Sequence, residues 1–126
     1  MSNVATQDSI CRLQDIIKQM PQATSETRHH FSDGLYAREL FMPAGTVAVG
    51  AHHKTQHLYM VASGKCKVSS QYETVEIEAP YLGETIPGTK RVIYAETDCL
   101  WITFHPTELT DIKEIEAALI EPEDIQ

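Results

Sequence analysis

The sequence predicts an all-β domain with one short helix at each end of the chain. Runs rich in β-branched and aromatic residues fill positions 35–105, proline–glycine turns interrupt these runs, and the segments on either side have helical periodicity. Seven or eight short strands, spaced about ten residues apart, are typical of a β-sandwich or a β-barrel. At 126 residues the chain is expected to form a single domain.

The first helix is predicted over residues 8–20. Its apolar residues recur at helical spacing, and Pro21 ends the helix because proline clashes with the preceding turn. We expect the apolar face to pack on the outside of the β-domain or on a neighbouring subunit. Residues 21–34 are polar and are interpreted as a connector. The apolar face comprises Ile10, Leu13, Ile16, Ile17 and Met20.

The strands and the second helix follow in order along the chain. Turns are expected at residues 43–45 and 86–88, where proline and glycine occur together. The second helix is predicted over residues 110–120, with Asp111 and Glu114 at the N-cap and N3 positions. The predicted strands are LYARELFM, TVAVG, HLYMVAS, KCKVSSQY, TVEIEA, RVIYA and CLWITFH.

The charge and cysteine content of the chain limit which partners and which cellular environment are expected. The chain has 18 acidic and 10 basic residues, a net charge of -8, and no basic stripe, so nucleic acid and membrane surfaces are poor partners. The three cysteines are widely spaced and form no CxxC pair, which favours reduced thiols. The sequence shows neither a signal peptide nor an apolar run of about 20 residues, so we expect a cytoplasmic protein.

A histidine-rich stretch, GAHHKTQHLYMVASG at residues 50–64, carries the clearest functional signal. On a continuous strand, His53 and His57 would project from the same face because they are an even number of positions apart. A tight bend at KTQ would instead bring the two rings together from neighbouring strands. In either case His52 is expected to point away. Imidazole is the commonest ligand of divalent transition metals. Two histidines alone identify no site, so the prediction requires a third ligand.

The same stretch resembles the first motif of the cupin family. In that motif two histidines are followed by an acidic residue and then, after six intervening residues, by glycine. Here the spacing from His53 to His57 and on to Gly64 is kept. Two positions differ, since Ala51 replaces the first histidine and His57 replaces the acidic residue.

A second segment, GETIPGTKR at residues 83–91, resembles the second cupin motif, with Arg91 near the position of its histidine. The resemblance covers about residues 41–105 and implies a single antiparallel jelly-roll barrel over residues 35–105. The segments DGLYAREL and PGTKR, and the final strand's W-x-T-x-HP, also resemble small one-domain cupin-like proteins of phage and prophage genomes.

Only His53 keeps the residue usual at its position in the cupin ligand set. His105 ends the last strand, which in a jelly roll lies beside the strand with the second motif, so we predict a metal site of His53, His57 and His105. Three neutral histidines with an open fourth position suit one divalent transition metal, zinc or iron above others. Its affinity should weaken below about pH 6, where ordinary histidines take up protons. Alternatively, these histidines are turn and strand-surface residues that bind no metal.

Three further residues are predicted to contact a ligand. Arg91 offers a planar fork for a carboxylate or phosphate, and Tyr59 and Trp101 offer aromatic walls. Alternatively, Arg91 is an exposed cation at the start of a strand or forms a salt bridge to Glu39, Glu84 or Glu96, and the two aromatic residues are plain core.

These residues indicate a metal-binding cupin-like protein that acts on or binds a small anionic molecule. The alternative is a ligand-binding or structural barrel without metal. No spacing identifies catalytic residues, so enzyme activity stays open. A homodimer is expected, because a helix as short as residues 8–20 cannot bury its apolar face alone.

Overall fold

A computed structural model describes residues 26–50 and 53–120 of the chain. The predicted helix over residues 8–20 and His52 lie outside the described residues. The elements are β1 (Glu26–Ser32), β2 (Leu35–Met42), β3 (Val47–Val49), β4 (His57–Ser63), β5 (Lys65–Ser70), β6 (Thr74–Glu78), β7 (Tyr81–Thr85), β8 (Arg91–Ala95), β9 (Cys99–Pro106) and α1 (Ile112–Leu119).

The strands form two antiparallel sheets. The five-stranded sheet has the order β1-β2-β9-β4-β7 and the four-stranded sheet has the order β3-β8-β5-β6. The predicted all-β class is therefore confirmed as a β-sandwich. Within the described ranges no strand pairing joins one sheet to the other, so closure into a barrel stays a prediction.

Buried and exposed residues alternate along the strands, and the buried residues form the core between the two sheets. In β4 the residues His57, Tyr59 and Val61 are buried, while the residues between them are more exposed. Side chains two apart on a strand point to the same face, so these three face inward. The core comprises Met42, Tyr59, Val61, Cys66, Val68, Ile77, Ile93, Ala95, Cys99 and Trp101.

Gly64 connects β4 to β5 and has to be glycine. Its φ is +91°, which side chains rarely tolerate, and a Cβ there would lie 2.8 Å from Sγ of Cys99. The glycine of the first motif thus allows the chain to turn tightly from one sheet into the other. The predicted turns at 43–45 and 86–88 are also present.

The second helix is confirmed, and the predicted connector is partly wrong. Asp111 caps α1 and accepts a hydrogen bond from the backbone N–H of Glu114 at 3.0 Å, as its spacing predicted. Residues 26–32, expected in a connector, instead form β1 at the edge of the five-stranded sheet. All seven are exposed, so this strand has no apolar alternation that the sequence could reveal.

A separate apolar cluster fixes α1 to the five-stranded sheet. Ile115 and Leu119 are buried against Tyr36 of β2. No helix of the described residues is long and apolar enough to cross a membrane.

Candidate metal centre and adjoining pocket

The three predicted histidines come from three different parts of the fold. His57 begins β4, His105 lies near the end of β9, and His53 lies before a bend that leads into β4. An isolated β-bridge joins His53 to Ile120, directly after α1. The bend, rather than a continuous strand, therefore brings His53 over His57.

The ligand atoms of the three rings converge. One nitrogen from each of His53, His57 and His105 lies within 4.8 Å of the other two. The ring centroids are 4.4 Å apart for His53–His57 and His57–His105, and 5.3 Å apart for His53–His105. A point about 2.8 Å or less from all three nitrogens therefore exists, and a small closing movement reaches the zinc–nitrogen distance of about 2.0–2.1 Å.

Burial keeps two of these rings neutral. His57 and His105 are 4% and 2% exposed. Burial lowers the pKa of His57 to about 4, with the Arg91 charge adding to the effect and the Thr55 carbonyl opposing it. Burial also lowers the pKa of His105 to about 3, assisted by His57 and Arg38. Near pH 7 both rings are unprotonated, which is the form that binds metal.

One buried nitrogen in this cluster lacks a hydrogen-bond partner. Nε2 of His105 lies 2.9 Å from Oγ1 of Thr103, which orients the ring. Nδ1 of the same ring is buried and has no partner within the described part of the chain. Buried polar atoms nearly always have a hydrogen-bond partner. The unpartnered Nδ1 of His105, together with the convergence of the three histidine nitrogens, therefore fits a bound metal ion.

Helix α1 closes one side of the histidine cluster. The cavity between the cluster and the helix measures about 30 Å³ and is lined in part by His53, His105, Ile115 and Leu119. That is about the volume of one water molecule in the liquid. Tyr36 stacks on His105 at 5.8 Å and bonds Nδ1 of His29 through its hydroxyl at 2.7 Å.

A larger pocket, of about 300 Å³, contains Arg91. Arg91 belongs to the four-stranded sheet but contacts the five-stranded one. Its guanidinium carbon lies 4.7 Å from the centre of the Tyr59 ring, and Nη1 donates to Oγ1 of Thr85 at 2.8 Å. Thr85 pairs with His57 between β7 and β4, which places this cation beside the histidine cluster.

The two predicted aromatic residues have different positions. Tyr59 lines the Arg91 pocket, and burial raises its pKa to about 12, so its hydroxyl stays protonated. Trp101 stacks on Tyr59 with centroids 4.6 Å apart and is 6% exposed in the core. Trp101 thus supports the Tyr59 ring from within the core, and its contact with a ligand stays a prediction.

Several residues around the site were not predicted, namely Tyr36, Thr85, Thr103 and Glu73. Thr85 and Thr103 reach the site through strand register, which no local sequence pattern reveals. Glu73 lines the Arg91 pocket from the turn between β5 and β6. Their positions depend on pairing between distant segments.

Comparisons with known proteins define the fold class. No protein-family profile matches the sequence, and the search of curated proteins found no match. The structure resembles a cupin-2 domain protein from Shewanella frigidimarina, with a TM-score of 0.54 and 12% identity over 75% of this chain and 92% of that one. It also resembles ectoine synthase from P. lautus, with a TM-score of 0.62 and 14% identity over 78% and 75% of the two chains.

A variant of salicylate 1,2-dioxygenase from Pseudoaminobacter salicylatoxidans is similar as well. Its TM-score is 0.62 and its identity 16%, over 94% of this chain but only 40% of that protein. The chain therefore has the fold of cupin-domain proteins. Fold likeness at such identities carries no activity with it.

Proposed function

We propose that the protein binds one divalent transition metal through His53, His57 and His105, and that it binds a small anionic molecule beside this metal. The observation that carries the proposal is the convergence of three histidine nitrogens within 4.8 Å. The unpartnered Nδ1 of buried His105 supports it. Zinc and iron are the favoured metals, since imidazole suits both.

Three neutral ligands leave the charge of the metal uncompensated. A metal held this way would act as a Lewis acid or lower the pKa of bound water. Arg91 would bind the anionic group of the ligand, while Thr85 and Tyr59 fix its guanidinium in place. The proposal covers binding and assigns no catalytic residue.

Elemental analysis of the full-length protein, purified without chelator, tests the metal site. We expect one metal ion per chain, and we expect His57→Ala and His105→Ala to lose it. His30→Ala is the matched control, because His30 is exposed and bonds Glu39 at 3.0 Å away from the cluster. Metal-free protein whose melting temperature does not rise on adding zinc or iron(II) would overturn the proposal.

A ligand-binding protein without metal is the second candidate function. It is favoured by the Arg91 pocket, whose contacts to Tyr59 and Thr85 need no metal. Anion binding that persists in metal-free His57→Ala protein would support it. The phage relationship and the cytoplasmic location stay predictions.

A further inference from the structure

The Arg91 pocket also contains a charge of opposite sign. Glu73 lines the pocket together with Arg91 and Tyr59. Burial lowers the pKa of Arg91, and the neighbouring Tyr59 and Glu73 oppose this shift. The carboxylate of Glu73 also contributes to the raised pKa of Tyr59, after burial as the main cause. The negative charge of Glu73 and the positive charge of Arg91 therefore both act within this pocket.

These two charges do not form an ion pair with each other. The ion pairs among the described residues join His30 to Glu39, Lys65 and Lys67 to Glu96, and Lys67 to Glu76. A guanidinium has five N–H donors, so the bond from Arg91 to Thr85 leaves others for a ligand. The pocket is thus lined by one positive and one negative side chain that are not paired with each other.

Glu84 also lines the pocket, but its side chain is used differently. It alternates along β7 with the inward-facing Thr85 and, like Glu73, is exposed. Its carboxylate accepts a hydrogen bond from the side-chain amide of Gln56. Glu73 is therefore the residue that supplies the negative pole.

We infer that this pocket recognises a small zwitterion, with an anionic group bound by Arg91 and a protonated amine bound by Glu73. The inference rests on the proposed function for its anionic half and adds the cationic half. A volume of about 300 Å³ is at the lower end of the range of small-molecule pockets, which suits a ligand of amino-acid size. Val75 and Ile86 in the lining offer apolar contacts to the carbons between the two groups.

Charge selection follows from this arrangement. A simple anion gains from Arg91 but is repelled by Glu73, and a simple amine experiences the reverse. Only a molecule with both charges satisfies both poles. A protein discriminates between ligands through such repulsion as well as through attraction.

Titration of the isotope-labelled full-length protein, followed by NMR chemical shifts, tests this inference. The zwitterionic probes are β-alanine, γ-aminobutyrate and ε-aminocaproate, each compared with the carboxylate and the amine of equal chain length. We expect the best zwitterion to bind about tenfold more tightly than its carboxylate or its amine.

Variants assign the two poles. Glu73→Gln should weaken binding of the best zwitterion about tenfold while leaving the carboxylate unchanged or tighter. Arg91→Lys should weaken both, because lysine keeps the charge but loses the fork. Glu78→Gln is the matched control, since Glu78 is an exposed residue of β6 that does not line the pocket.

Equal affinity for carboxylate and zwitterion, an unaffected Glu73→Gln variant, or no binding of any probe would overturn the inference. Elemental analysis of the same samples keeps this result separate from the proposed function. Metal-loaded protein that binds carboxylates without preference for an amine would leave the proposed function intact. Metal-free protein that still prefers the zwitterion would overturn only the metal site.

Discussion

At the scale of single residues, the site consists of polar groups that the fold holds away from water. His57 and His105 are nearly inaccessible to solvent, and their lowered pKa values reflect that burial. Burial disfavours the charged form of an imidazole far more than its neutral form, so both rings are neutral in the folded protein. The free energy of unfolding should therefore depend on pH.

The metal-free protein should lose stability as the pH falls below about 6.5, the ordinary histidine pKa. Above that value His57 and His105 are neutral in both folded and unfolded chains. Below it the unfolded chain takes up protons first, because the folded pKa values are about 4 and about 3. The free energy of unfolding should therefore drop by at most about 1.4 kcal/mol per group and pH unit, down to those values.

Urea denaturation of chelator-treated protein between about pH 7 and about pH 5 measures this slope. The double variant His57→Gln/His105→Gln should have a flatter profile, and equal slopes would contradict the prediction. The lowered pKa values also imply that protons compete with metal at a lower pH than the value of about 6 expected from ordinary histidines.

Gly83 offers a second test at this scale. It pairs with Tyr59, and a Cβ there would collide with the ring and hydroxyl of Tyr59. We expect Gly83→Ala to destabilise the protein by about 1–3 kcal/mol, and to weaken ligand binding because Tyr59 supports Arg91. Urea denaturation checks the first effect.

Gly50→Ala is the matched glycine control. Its added Cβ would lie 3.7 Å from the nearest atom, the backbone oxygen of Arg91, which is an ordinary contact. Equal stability losses in Gly83→Ala and Gly50→Ala would show that the Tyr59 ring does not require the glycine.

At the scale of elements, features that depend on neighbouring residues could be predicted from the sequence, whereas pairings between distant segments could not. The cap of α1 was predictable because Asp111 and Glu114 lie in one turn. β1 was not, because an exposed polar edge strand has no apolar period. The three histidines could be proposed from spacing and resemblance. Thr85 and Glu73 could not, because strand register and turn geometry bring them to the site.

Helix α1 should govern how firmly His53 is held. The backbone N–H of Lys54 donates to the Leu119 carbonyl at 2.7 Å, and His53 bridges to Ile120. Leu119→Ala should cost about 2–5 kcal/mol of stability and speed metal release, because a loosened helix frees His53. Release to a chromogenic chelator measures the rate.

Lys113→Ala, at an exposed position of α1, should leave that release rate unchanged. A Leu119→Ala variant that is less stable but releases metal at the native rate would show that α1 stabilises the fold without controlling the metal centre.

At the scale of the whole molecule, the outer faces of the two sheets differ in character. The four-stranded sheet carries charged residues outside, with Lys67 paired to Glu76 and Glu96 at 3.7 and 3.4 Å. Beside charged residues such as Glu39 and Glu84, the five-stranded sheet carries a group of apolar residues, and several of them, such as Leu82 at 62% exposure, are well exposed. These are Leu35, Phe41, Leu58, Met60, Leu82, Leu100, Ile102 and Phe104.

An apolar sheet face of this kind favours the predicted homodimer. The apolar residues lie on the four neighbouring strands β2, β9, β4 and β7, about 4.8 Å apart, and exposed apolar patches of this kind often mark protein–protein contacts. The native protein should therefore sediment at about twice 14.1 kDa at micromolar concentration. Leu82→Glu and Phe104→Glu should shift it to monomer, because each would bury an unpaired carboxylate in the interface.

Tyr94→Glu is the control on the opposite sheet, where Tyr94 is 42% exposed and lies among the charged residues. It should leave the sedimentation unchanged. A strictly monomeric native protein would reject the dimer, and a Leu82→Glu variant that remains dimeric would place the interface elsewhere. Because Leu82 and Phe104 point away from the histidine cluster, both variants should keep their metal, which separates assembly from the chemistry of the site.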